Sequence, residues 1–110
     1  MPEERTYLIR CTYRPGGAQD RLAIRREHIE HMLEWLPRTV FGGALLDSAG
    51  KEPVGMVVAL RCEAEDVDRF IATEPYCRAG LFDAITVDPL IQMTPPYTRE
   101  VLERELGRCS

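Results

Sequence analysis

The two histidines of this chain, His28 and His31, lie three residues apart in a segment of helical periodicity. Histidine is the side chain whose ordinary pKa lets it take up and return a proton near neutral pH. At 100° per residue, Leu22, Ile29, Leu33 and Leu36 define the apolar centre of the helix, and Arg25 falls inside that stripe. His28 lies about 90° from the stripe centre, on a flank shared with Ile24, His31 and Trp35. Such a histidine is either a hydrogen-bonded structural group or a base at the edge of a pocket; His31 lies further toward the polar side. Glu74 stands directly before Pro75, which opens a helical turn, so its carboxylate sits where unpaired amides attract negative charge. Glu closes poorly onto the N2 or N3 amide because of its extra methylene, so the Glu74 carboxylate is expected to reach beyond the cap.

Metal and cofactor chemistry find little support. Cys11, Cys62, Cys77 and Cys109 show no CxxC or CxxH spacing. Cys11 and Cys62 fall in apolar segments as small hydrophobes, whereas Cys77, in the first turn of a helical segment, is expected to be the more exposed and reactive, with Cys109 also exposed. A metal held by His28, His31 and Glu74 is weakly supported, because the two histidines differ by about 60° in angular position and no further fixed ligand is evident. No Gly-rich phosphate loop and no nucleophile elbow occur, so no cofactor and no metal are expected.

The elements that position these residues follow from periodicity. Thr6 to Tyr13 alternates as a strand and ends at Arg14-Pro15-Gly16-Gly17; Ala18 to Leu36 is a long helix stopped by Pro37. Thr39 to Leu46 and Val54 to Cys62 form a hairpin. Glu65 to Thr73 is a short helix broken before Pro75, a further turn runs Tyr76 to Ala79 with Gly80 as its left-handed stop, and Phe82 onward is the last strand. Thr98 to Leu106 adds a weak helix with Thr98 as N-cap. The order strand, helix, strand, strand, helix, strand predicts an α+β, ferredoxin-like βαββαβ fold: a four-stranded antiparallel sheet with both helices on one face and a short C-terminal helix. Val57-Val58-Ala59-Leu60 is apolar toward both faces, which suggests that a second copy covers the other face as a homodimer.

At 110 residues the chain has room for one domain, with a radius of gyration of about 13 Å. Fourteen Lys and Arg against eighteen Asp and Glu give a net charge of -4, which argues against a nucleic-acid partner. No apolar run approaches the roughly 20 residues of a membrane span. The start, Met-Pro-Glu-Glu-Arg, lacks the features of a secretory signal, so a cytoplasmic protein is expected.

Three motifs in order carry a family resemblance: Arg25-x-x-His28-Ile29; Phe41-Gly42-Gly43-Ala44-Leu45-Leu46-Asp47 leading to Gly50; and Glu74-Pro75-Tyr76-Cys77-Arg78-Ala79-Gly80-Leu81-Phe82. Together they resemble the YciI-like family of small bacterial proteins, from about Thr6 to Gln92. The resemblance implies a YciI-like domain over residues 1–93, residues 94–110 being a C-terminal extension, and a dimeric α+β barrel related in architecture to muconolactone isomerase. It also implies an active site in which a helix histidine, here His28, pairs with the acid of an Asp-Pro-Tyr motif, here Glu74. The sequence departs from the family in having Glu-Pro-Tyr for Asp-Pro-Tyr, and Gly43-Ala44-Leu45 for Gly-Pro-Leu, which keeps the glycine and loses the fixed φ of proline.

A carboxylate-oriented imidazole suits cofactor-free isomerisation, elimination or lyase-type chemistry on a small, anionic organic molecule. In that reading His28 and Glu74 are catalytic, and Arg25, Tyr76 and Gly43 bind substrate; alternatively Arg25 forms a salt bridge within the dimer. The competing function is a non-catalytic small-molecule-binding or regulatory module on the same fold.

Overall fold

Alternation at period two puts Tyr7, Ile9, Cys11 and Tyr13 on one face of strand β1 (Arg5–Tyr13), and antiparallel pairing sets Met56, Val58 and Leu60 of β3 (Pro53–Cys62) beside them. The computed structural model describes residues 4–109, so Met1 to Glu3 of the segment read for a secretory signal lie outside the described residues. The remaining elements are α1 (Gly17–Asp20), α2 (Arg25–Trp35), β2 (Thr39–Leu46), α3 (Ala64–Thr73), α4 (Pro75–Arg78), β4 (Phe82–Leu90) and α5 (Arg99–Leu106). The sheet is antiparallel in the order β2-β3-β1-β4, with α2 and α3 on one face: the α+β, ferredoxin-like arrangement. The β1 and β3 backbones meet closely at Gly55, where a Cβ would run into the Cys11 carbonyl.

The core lies between this face and the helices: Ile9, Cys11, Leu60 and Cys62 from the sheet, Trp35 from α2, Val67 and Phe70 from α3. Trp35 meets Phe70 edge to face at 5.3 Å, and the Arg38 and Arg69 guanidinium groups lie 5.2 and 5.3 Å from its ring centroid. Both arginines pair with Asp66, at 3.2 and 2.8 Å, and Asp66 also accepts the Glu63 N–H. That backbone hydrogen bond, reinforced by the two guanidinium charges, holds the Asp66 carboxyl below its usual range. The end of α2 is thereby fastened to the start of α3.

The long first helix expected from sequence is interrupted. After α1 the chain runs as a 3-10 turn from Arg21 to Ile24, and Ile24 leaves helical geometry (φ -122°, ψ 19°) before α2 begins. Four residues at about 120° instead of 100° shift the phase by about 80°, so Leu22 is out of register with the leucines that follow. The face turned to the core is the flank with His31 and Trp35; the apolar stripe is left outside, with Leu33 64% and Leu36 60% exposed.

The radius of gyration, 16.6 Å, exceeds the expected 13 Å because one sheet and one helical layer make a slab 52 × 43 × 21 Å. Thr98 caps α5 through the Val101 N–H, but Leu102 and Leu106 remain exposed. Among the described residues no helix is long and apolar enough to cross a membrane.

Cys11 and Cys62 are buried and Cys109 is exposed, but Cys77 departs from expectation. The neighbouring Cys11 thiol, partial burial and the nearby Glu74 carboxylate all favour its protonated form and push its pKa up, opposite to an activated thiol.

Candidate active site

Glu74 is the last residue before α4, and its side chain is completely buried. Burial of a carboxylate is tolerable only with donors on both oxygens. Oε2 accepts the Cys77 N–H at 3.0 Å, which is the cap, and Oε1 lies 2.6 Å from Nδ1 of His28. The extra methylene that makes Glu a poor simple cap lets one carboxylate serve both partners. A carboxylate only accepts, so Nδ1 bears the proton and the lone pair is left on Nε2. The His28 ring stacks on Tyr76, centroids 4.0 Å apart and planes 8° from parallel, which fixes its second degree of freedom.

His28 forms part of the wall of a cavity of about 460 Å³ between α2 and the β2–β3 half of the sheet. The space exists because β2 presents Gly42 and Ala44 toward the helix, opposite Val58 and Met56, so no large side chain fills it. Arg25, Tyr76 and Gly43 also line it, whereas Glu74 lies behind His28. A Cβ at Gly43 would meet nothing within 4 Å, so sterics do not demand glycine there. Ile29 and Leu36 of the apolar stripe, together with Met32, line this cavity. Burial pushes the phenols of Tyr13 and Tyr76 up, partly opposed at Tyr13 by Arg21 and at Tyr76 by Arg21 and Arg25.

Tyr13, Arg21 and Trp35 also line the cavity and were not among the expected site residues. Tyr13 follows from strand alternation, but Arg21 requires the 3-10 turn. Among the described residues no group of three or more His, Cys, Asp or Glu side chains is arranged to hold a metal.

His31 is only 7% exposed, and its Nε2 lies 2.9 Å from the Thr73 hydroxyl. That hydroxyl donates to the Arg69 carbonyl, so Nε2–H donates to Thr73 and Nδ1 is left buried without a partner. Burial lowers the His31 pKa, so the unfolded chain binds this proton more readily than the native one. This contribution is fully present above the unfolded value of about 6.5 and is lost as pH falls from there through the lowered folded value. His31→Gln is expected to flatten the fall in stability below pH 6.5, as measured by urea unfolding at several pH values; an identical slope in both proteins would contradict this.

No family model matches the chain, and no curated protein matches it. Among solved structures, 5-chloro-2-hydroxyhydroquinone dehydrochlorinase (TftG) of Burkholderia phenoliruptrix AC1100, in complex with 2,5-dihydroxybenzoquinone, is 24% identical. The alignment covers 79% of this chain and 94% of that one, with a TM-score of 0.73. A candidate antibiotic biosynthesis monooxygenase from Bacteroides thetaiotaomicron VPI-5482 is 16% identical over 87% of this chain and 95% of its own, with a TM-score of 0.53. The Pseudomonas aeruginosa protein PA3566 is 17% identical over 84% and 96%, with a TM-score of 0.50. These likenesses establish the ferredoxin-like fold.

Proposed function

We propose that this chain is a cofactor-free isomerase or lyase of the YciI-like kind, in which His28, oriented by Glu74, is the general base acting on a small organic anion. The observation that carries the reading is the 2.6 Å contact from Nδ1 to a fully buried carboxylate, which leaves Nε2 basic at the wall of the cavity. In the first step Nε2 takes a proton from an acidic carbon, and the C–H electron pair moves into an enolate or expels a leaving group with its bonding pair. The imidazolium so formed is stabilised by Glu74 across the Nδ1–H bond, and it returns the proton to another carbon in an isomerisation or loses it to solvent after an elimination. Tyr76 holds the imidazole plane by stacking; Arg25 meets the negative charge that develops on the substrate as the proton leaves. The dehydrochlorinase likeness is in keeping with elimination from a ring of this size.

The test is a panel of enolisable ring compounds, with 5-chloro-2-hydroxyhydroquinone among them, incubated in D2O and followed by proton NMR and chloride release. The reading expects deuterium incorporation or elimination that His28→Gln abolishes. Saturable binding of these compounds with neither reaction would favour the binding module instead.

The working unit in this proposal is a homodimer. The sheet face away from the helices is uncovered in the single chain and carries Leu8, Phe41, Leu45 and Val57, while Leu33 of α2 and Leu36 just after it are exposed beyond the usual monomer pattern. Light scattering at micromolar concentration is expected to give twice 12.5 kDa, and a monomer mass would contradict it.

A further inference from the structure

In a chain with a net charge of -4, the cavity wall includes Arg21 and Arg25 but no Asp or Glu. Among the described residues neither arginine has a carboxylate within ion-pairing distance. Arg21 is steadied by donating one guanidinium N–H to the carbonyl of Ala18, which leaves its other donors free. Two guanidinium groups without counter-charges, Arg21 half-buried and Arg25 exposed, make this end of an apolar cavity positive and suited to an anion.

Their positions along the chain divide the work. Arg25 precedes His28 by three residues, about 4.5 Å of helix axis, whereas Arg21 lies across the 3-10 turn, roughly 7 Å further away. Charge created by proton removal at Nε2 therefore develops nearer Arg25, and a charge already present on the ligand is best met by Arg21.

We propose that Arg21 is a specificity-determining residue that binds a permanent carboxylate, so the ligand class is a ring-sized organic monocarboxylate whose acid group lies about one ring away from the carbon that loses its proton. The placement of the acidic carbon rests on His28 being the base; the carboxylate site itself does not. Met56 and Val58 of β3, with Phe70, supply an apolar wall that accepts a planar ring.

Trp35 is the only tryptophan and lines the cavity, so its fluorescence reports occupancy. The probes are benzoate and its neutral counterpart benzamide, titrated in a buffer free of carboxylate and phosphate into the full-length protein and into Arg21→Gln and Arg25→Gln, each checked for native circular dichroism. The expected result is saturable quenching by benzoate, at least tenfold weaker binding of benzamide, and loss of that discrimination in Arg21→Gln but not in Arg25→Gln. Equal affinity for the two probes, discrimination that survives Arg21→Gln, or no saturable response to either would overturn the proposal. Arg21-dependent benzoate binding in a protein that exchanges no deuterium into the ring panel would sink the base assignment and leave this one standing. Exchange in neutral rings with no advantage for acids would do the reverse.

Discussion

His28→Gln is expected to lower turnover by at least 10²-fold, within the 10²–10⁴ range for loss of a general base, equivalent to about 3–5 kcal/mol of transition-state stabilisation. Glutamine has similar reach and its amide can still donate to Glu74, so the change removes the proton acceptor with little disturbance to the fold. Binding of a ring anion, read from Trp35 fluorescence, should change by less than threefold, because Arg21, Arg25 and the apolar wall are untouched. The effect should therefore fall on kcat and leave KM nearly constant. A variant that turns over at the wild-type rate but binds weakly would assign His28 to recognition.

The largest stability effect is expected at Glu74. Glu74→Ala removes the α4 cap, a loss of about 1 kcal/mol, and leaves the His28 Nδ1–H without its acceptor, costing about 1–3 kcal/mol more. With the void left by a fully buried side chain, the sum is about 3–5 kcal/mol. Urea unfolding should show the midpoint falling with an unchanged slope. Glu74→Gln should lose less, since its one carbonyl oxygen can accept from either His28 or Cys77 but not from both. A Glu74→Ala stability within 0.5 kcal/mol of the parent would mean that the buried carboxylate organises nothing.

Strand assignments and the ferredoxin-like order are legible in the sequence because β1 alternates and the hairpin strands are β-rich runs bounded by turn residues, all local signals, and the Thr98 cap is legible because capping spans only three residues. The facing of α2 is not. The 3-10 turn at Arg21–Ile24 has no proline, glycine or side-chain cap to announce it, and it shifts the phase that the leucine stripe depends on. The stripe itself misleads, since it borders a cavity and solvent instead of the core. Glu74 is legible as a misfit at its cap, but its distance to His28 is a tertiary fact reachable from sequence only through the motif resemblance. Arg21 escapes notice for the same reason as the helix break. Cys77 is misread because its thiol is set by Cys11, 66 positions away on β1. The cavity depends on two small residues of β2 lying opposite α2, a juxtaposition that only the sheet order creates.

The most direct measurement is the protonation pattern of the His28 imidazole, read by long-range proton–nitrogen NMR of labelled protein above pH 7.5, with His31→Gln used to assign the two rings. The expected result is Nδ1 protonated toward Glu74 and Nε2 unprotonated at the cavity, ready to accept a proton. A neutral ring with its proton on Nε2 would contradict the account, because the nitrogen facing the ligand would then be a donor and His28 could not serve as the base.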